Sequence, residues 1–227
     1  MSGRISSSDA KKVLVIGDSH AEITWEIIAQ NYGLAADIYL IRLGGCPFSD
    51  ITRVINSLSP GDCSRFRRAI PSAIADIKPD TIVLSDYISG KNDNGTSISR
   101  SEIASGLRTS VTRYKKLAST VIVMGEFPTQ PVGLTDCVLA SGLLSRSCFG
   151  KVADTQYIRD LESKVALSLN VGFVDPTPIF CYSLICPPVI DNILVRRETN
   201  HTTDNFTLKV APFFGFYFDK LGILGTP

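Results

Sequence analysis

The sequence predicts an α/β domain with three layers, α/β/α, around a central parallel sheet of about five strands. Two observations carry this expectation. Short β-branched runs alternate with helix-periodic segments along the whole chain, the arrangement that parallel strands with covering helices require. The 227 residues, 44% hydrophobic and 20% charged, are enough to bury a sizeable core and exclude a disordered chain.

The elements follow in order. Residues 12–16 read as the first strand, which stops at Gly17-Asp18-Ser19; Ile23, Ile27 and Ile28 then mark a helix to about Asn31. Residues 37–43 form the second strand, broken by Gly44-Gly45-Cys46-Pro47, and a loop leads to a helix over 66–77. The third strand spans 81–86 and the polar stretch 89–96 is a loop. Ser99 and Glu102 make a capping box that opens a helix with Ile103, Leu107, Val111, Tyr114 and Leu117 at helical spacing. Residues 120–124 are the fourth strand, and 125–150 a long loop of the kind that is usually functional or stapled. A helix over 151–169, a fifth strand over 171–174, a loop over 175–200 and a closing helix over 203–221 complete the chain.

Residues 11–227 thus read as one domain, and 1–10 as a flexible tail or an expression remnant. The stretch Met1 to Ala10 has no apolar h-region, so an export signal is expected elsewhere in a larger protein. The 23 Lys and Arg balance 22 Asp and Glu, a net charge of +1, and supply no basic field for nucleic acid. The longest apolar runs are strand-sized, far short of the roughly 20 residues of a membrane-spanning helix.

Cys46, Cys63, Cys137, Cys148, Cys181 and Cys186 fall as three successive local pairs. Six cysteines permit 15 connectivities, of which sequential pairing is the simplest, and three disulfides in an oxidising compartment are favoured over buried free thiols. Zinc is disfavoured because no pair has two-residue spacing and the only histidines are His20 and His201. No metal or cofactor is expected.

The first strand delivers Gly17-Asp18-Ser19-His20 to the carboxyl edge of the sheet, where open α/β folds place ligands. A Ser19 hydroxyl at a helix start lies beside unsatisfied N–H groups that favour an oxyanion, although Asp and Ser there also serve as plain N-caps. A serine nucleophile needs a base. His20, adjacent in a helix, faces away from Ser19 and is expected to line the pocket or the surface. His201 is the candidate, with Glu198 three residues earlier to accept from Nδ1–H and fix the tautomer.

Gly-Asp-Ser after the first strand and acid-x-x-His before the last helix resemble the SGNH (GDSL-like) hydrolase superfamily over most of the chain. The SGNH domains fused to membrane acyltransferase-3 proteins are similar in more detail. They begin with Gly-Asp-Ser-His and share Gly45-Cys46-Pro47, Val174-Asp175-Pro176 and a late cysteine pair, here Cys181 and Cys186. The resemblance implies a flavodoxin-like SGNH fold, Ser19 as nucleophile, His201 as base, and Gly44 or Gly45 with the Ser19 N–H as oxyanion donors. It departs in two places. The usual Asp before the histidine is Glu198, one methylene longer, which leaves a Ser19–His201 dyad helped by a backbone carbonyl as the alternative. The superfamily's Gly-x-Asn-Asp block reads as Gly90-Lys91-Asn92-Asp93, beyond the third strand's end, so Asn92 is an oxyanion donor or a turn residue.

The activity so implied is an extracytoplasmic, membrane-linked carbohydrate O-acetyltransferase. A membrane acyltransferase domain or partner would deliver the acyl donor, and an acyl-serine would pass acetyl to a sugar hydroxyl of a polysaccharide. A carbohydrate acetylesterase would use the same serine and histidine with water as acceptor. A non-catalytic glycan-binding module is the reading from another class, and a phosphate-binding helix start at Gly17-Asp18-Ser19 a third, without a glycine-rich fingerprint. Arg65-Phe66-Arg67-Arg68 reads as a solvated helix face or, more sharply, as a contact for anionic glycan or headgroups. Trp25, Phe213, Phe214, Phe216, Tyr217 and Phe218 are expected to be core or helix-packing residues, while Tyr87 and Tyr182 fall in edge loops where a sugar could stack.

Overall fold

The computed structural model describes residues 10–53, 58–59, 61–88, 97–130, 134–142, 145–198 and 200–225. In chain order the elements are β1 (Lys11–Gly17), α1 (Ser19–Tyr32), β2 (Ala36–Arg42), α2 (Asp62–Ile77), β3 (Thr81–Ser85), α3 (Arg100–Tyr114), β4 (Thr120–Met124) and α4 (Leu134–Ser141). They continue with β5 (Gly150–Lys151), α5 (Val152–Ser168), β6 (Gly172–Val174), α6 (Thr177–Phe180), β7 (Ile185–Cys186), β8 (Val189–Ile190), β9 (Ile193–Leu194) and α7 (Asp204–Lys220). The main sheet has five parallel strands in the order β2-β1-β3-β4-β6. No helix among the described residues is long and apolar enough to cross a membrane.

Alternating side chains of each buried strand divide the core into two halves, as parallel strands covered on both faces require. Val13, Val15, Val83, Ile122 and Met124 pack with α1 and α7, where Ile27, Phe206, Phe214 and Phe218 are buried. Leu14, Ile16, Ile82, Leu84 and Val123 pack on the other face with Ile70 and Ile74 of α2, Leu107 and Val111 of α3 and Ile158 of α5.

The register brings Gly17, Arg42, Ser85, Met124 and Val174 level at the carboxyl edge. The order of the strands reverses at β1, so the crevice between the loops after β1 and β3 is the topological switch point, where such sheets bind ligands. Gly17 makes that crevice narrow. A Cβ there would lie 1.8 Å from the Ser85 carbonyl oxygen, so only glycine lets β1 end this close to β3.

The long loops are more structured than the sequence suggests. Residues 125–150 contain α4 and a 3-10 turn over Arg146–Cys148, closed by the Cys137–Cys148 disulfide; 175–200 contain α6 and three two-residue strands, closed in part by Cys181–Cys186. Elements this short carry too few residues to display a periodicity. Cys46–Cys63 ties the loop after β2 to the first turn of α2, so the six cysteines pair sequentially. That helix begins at Asp62, before its apolar positions, and runs through Pro71.

The closing helix α7 is also continuous, through Pro212 and Gly215. Asn31 Nδ2 donates to Ala211 O (2.7 Å) and Tyr32 Oη to Asp219 Oδ1 (2.7 Å), anchoring it to α1 across the proline. Only one face of α7 meets the sheet. Phe214 and Phe218 are buried there, but Phe213 and Phe216 are exposed, correcting their expected place in the core or in helix packing. Trp25 and Tyr217 pack half-buried at its margin.

Candidate active site

Asp18 caps α1: its Oδ1 accepts from His20 N (2.9 Å), and its Oδ2 accepts from Tyr87 N (3.1 Å) in the loop after β3. Ser19 is therefore the first helical residue, at the positive end of the helix dipole. His201 arrives from the far end of the chain. An isolated bridge pairs Arg196 with Thr202, Arg197 N donates to His201 O (3.1 Å), and Thr203 caps α7 by accepting from Phe206 N (3.3 Å). The imidazole is thereby held over the start of α1.

Its Nε2 lies 2.7 Å from Ser19 Oγ, and its Nδ1 lies 2.5 Å from Glu198 Oε1. In one tautomer Ser19 donates to Nε2 while Nδ1–H donates to Glu198, the polarity of an acid–base relay. Glu198 spans the gap despite its longer side chain because it sits three residues back on the same turn. Its side chain is 59% exposed, against 22% for His201, so water also reaches the carboxylate.

Gly44 and Gly45 occupy the tight turn in which Cys46 N donates to Leu43 O (2.9 Å), with Gly45 at φ 77°, a left-handed conformation suited to glycine. Leu43 N donates to Gly17 O (3.3 Å), which keeps this turn beside the end of β1. Asn92 lies outside the described residues. His20 is fully buried, correcting its expected place at the pocket or the surface, because the second position of α1 turns inward. Its ring centroid is 5.1 Å from that of Tyr87, 5.6 Å from Phe127 and 5.7 Å from His201. Burial, then the Arg196 and His201 charges, push its pKa well down, so it stays neutral beside His201.

Sequence reasoning missed a set of buried acids just past the strand ends. Asp86, after β3, accepts from Phe48 N (2.7 Å), Ser49 N (3.1 Å) and Ser49 Oγ (2.9 Å), gripping the loop that carries Gly44 and Gly45. Glu126, after β4, accepts from Ile88 N (2.6 Å), and Glu162 of α5 accepts from Glu126 N (2.8 Å). Each acid replaces water for backbone N–H groups that a sheet edge leaves unpaired. The legible signal was an acid one or two residues beyond the apolar strands β3 and β4; Glu162, within α5, carried none. Arg196, also missed, is buried against Phe180 with its Cζ 5.1 Å from the ring centroid and donates to Asn200 O and Pro128 O. Tyr87 lies 5.0 Å beneath Arg53 Cζ, whereas Tyr182 is largely exposed.

Burial raises the Asp18 pKa from 3.8 to about 6, against the lowering effect of the His20 and Tyr87 amides and of Arg53. Burial and then the Asp18 charge raise Asp86 well above the usual carboxylate range. For Asp18 the folded value exceeds the unfolded one, so the folded state holds the proton more tightly. The resulting stabilisation is fully present below about pH 4 and lost as pH rises through about 6. The stability advantage of wild type over Asp18→Asn is therefore expected to shrink by about 1–3 kcal/mol between pH 4 and 6.5 in urea titrations. An advantage that grows over that interval would show a carboxylate ionised throughout.

The fold matches solved structures over nearly the whole chain. The periplasmic domain of a lipopolysaccharide acetyltransferase from Salmonella ser. Paratyphi A aligns with a TM-score of 0.72 at 15% identity, covering 95% of this chain and 84% of that one. A catalytic mutant of an acetylxylan esterase from Geobacillus stearothermophilus aligns with a TM-score of 0.56 at 14% identity, covering 96% of each chain. LAE5, an α/β hydrolase enzyme from the metagenome of Lake Arreo, gives 0.55 at 12% identity, covering 95% of this chain and 97% of that one. The five-stranded parallel sheet with helices on both faces is thus the SGNH hydrolase fold. No curated protein sequence matches the chain. The family model of the SGNH domain fused to AT3 domains matches residues 2–215, and the chain belongs to that family.

Proposed function

We propose that this domain moves acetyl groups on carbohydrate through an acyl-Ser19 intermediate, as the extracytoplasmic part of a membrane O-acetyltransferase. The observation that carries the reading is the 2.7 Å approach of His201 Nε2 to Ser19 Oγ across 182 residues of chain. His201 takes the Ser19 proton as Oγ bonds to the acetyl carbon, and returns it to the oxygen of the donor as that bond breaks. A sugar hydroxyl then gives its proton to His201 while its oxygen takes the acetyl group, and Ser19 Oγ is reprotonated as it leaves. The Ser19 N–H and the N–H groups of the Gly44–Gly45 turn are the donors assigned to the developing oxyanion, with Asn92 as a further donor candidate.

The family's fusion to AT3 domains supports a membrane acyltransferase as source of the acyl group. Three disulfides support an oxidising compartment. The acetyltransferase and acetylxylan esterase folds support acetyl on sugar as the cargo. The test is intact-mass labelling with a fluorophosphonate and with p-nitrophenyl acetate. One adduct is expected on wild type and none on Ser19→Ala. An unlabelled, folded wild type would leave a glycan-binding module as the better account. Turnover without added glycan marks an esterase; turnover only with glycan marks a transferase.

A further inference from the structure

The basic run Arg65-Phe66-Arg67-Arg68 takes no part in the chemistry above, and the structure overturns its reading as a wholly solvated face. Arg67 is only 7% exposed, in the second turn of α2. Its guanidinium faces a cleft of about 360 Å³ lined by Asp50, Ser64, Arg67, Arg68, Pro71 and Arg113. The acceptors it finds are distant: Asp50 Oδ1 is 3.5 Å from Nε, and Pro47 O is 3.5 Å from Nη1. Asp50 is shared with Arg113, whose Nη2 is 3.9 Å from Oδ2, and is itself 47% exposed.

A guanidinium carries five N–H donors, and burying it without close anionic partners is costly. Here two guanidinium groups share one half-exposed carboxylate at 3.5 and 3.9 Å, too far for good hydrogen bonds, and a third arginine, Arg68, lines the same cleft. The planar forks suit a carboxylate or phosphate group, which would complete their hydrogen bonds. The cleft also adjoins the catalytic loops. Cys46, next to Gly45, is bonded to Cys63, next to Ser64, and the loop that supplies Pro47 and Asp50 is gripped at Phe48 and Ser49 by Asp86.

We propose that this cleft binds the carboxylate or phosphate group of an acidic glycan. The anion site stands on the arginines alone; its assignment to the glycan acceptor rests on the carbohydrate reading above. A concave site with Pro71 as its one apolar wall fits a single charged sugar substituent better than a membrane surface, which engages convex apolar patches beside its charges.

The experiment is calorimetric titration of the intact domain with a glucuronic acid-containing oligosaccharide, a neutral xylo-oligosaccharide and inorganic phosphate. Wild type is expected to prefer the acidic oligosaccharide by about 10-fold or more, and to lose that preference in high salt. Arg67→Gln and Arg113→Gln should each abolish the preference, while Arg146→Gln outside the cleft leaves it intact. Arg68→Gln, an exposed change, should weaken it even if Arg67→Gln fails to fold. Ser19→Ala should bind like wild type, so a failure of the catalytic reading leaves this result untouched. Equal affinity for acidic and neutral oligosaccharides, without phosphate binding, overturns the proposal. Arginine-dependent sedimentation with phosphatidylglycerol vesicles, without oligosaccharide binding, also overturns it, in favour of a lipid headgroup.

Discussion

Alanine at His201 is expected to lower kcat/KM for a small acetyl ester by about 10⁴-fold, whereas Glu198→Gln should cost only about 10–100-fold. The first figure follows from geometry. Nε2 is 2.7 Å from Ser19 Oγ, and His20, the only other imidazole, is buried and held neutral beside it. Without His201 no described base stands at the hydroxyl. The second figure follows from exposure. Glu198 meets Nδ1 at 2.5 Å but is more than half exposed, so water or a reoriented glutamine oxygen can still accept the Nδ1 proton. Esterase kinetics across pH check both. A Glu198→Gln loss as deep as that of His201→Ala would make the carboxylate indispensable for fixing the tautomer. A loss below about 3-fold would favour the alternative, a Ser19–His201 dyad helped by a backbone carbonyl.

Asp86→Ala is expected to destabilise the domain by about 3–5 kcal/mol, the largest stability effect among the residues around the site. The change strands three buried donors, Phe48 N, Ser49 N and Ser49 Oγ, where water cannot replace the carboxyl group. Asp86→Asn keeps acceptor oxygen at part of this set and should cost about 1–2 kcal/mol. Urea denaturation of both variants measures the difference. The loop that Asp86 grips carries Gly44 and Gly45, so a folded Asp86→Asn protein should also acylate more slowly while its His201–Ser19 pair persists. A cost below about 1 kcal/mol for alanine would mean that the Cys46–Cys63 bond holds this loop by itself.

The alternation of β-branched runs and helical faces determined the five parallel strands and their covering helices. Gly17-Asp18-Ser19 and Glu198-x-x-His201 determined which two loops to compare, and the order of the cysteines already suggested their sequential partners. These are local or periodic signals, and a chain writes them in consecutive residues. Helix α4, helix α6 and the two-residue strands were illegible because such short pieces are fixed by disulfides and neighbouring loops rather than by pattern. The fates of His20 and Arg67 were equally hidden, since burial depends on what packs over a residue from elsewhere in the chain.

Only the tertiary structure decided that Asp18, Asp86 and Glu126 act together as clamps on the carboxyl edge. Asp86 and Glu126 are unremarkable acids in sequence, and Asp18 reads there only as part of a helix-start motif; the clamping role is created by amides that lie 38 residues away for Asp86 and Glu126 and 69 for Asp18. The same holds for the proposed catalytic pair. The sequence named Ser19 and His201, but their approach depends on the reversal of strand order at β1 and on the packing of α7 against α1. Hydrogen bonds act over about 3 Å, and only the closed fold brings such distant residues within that range.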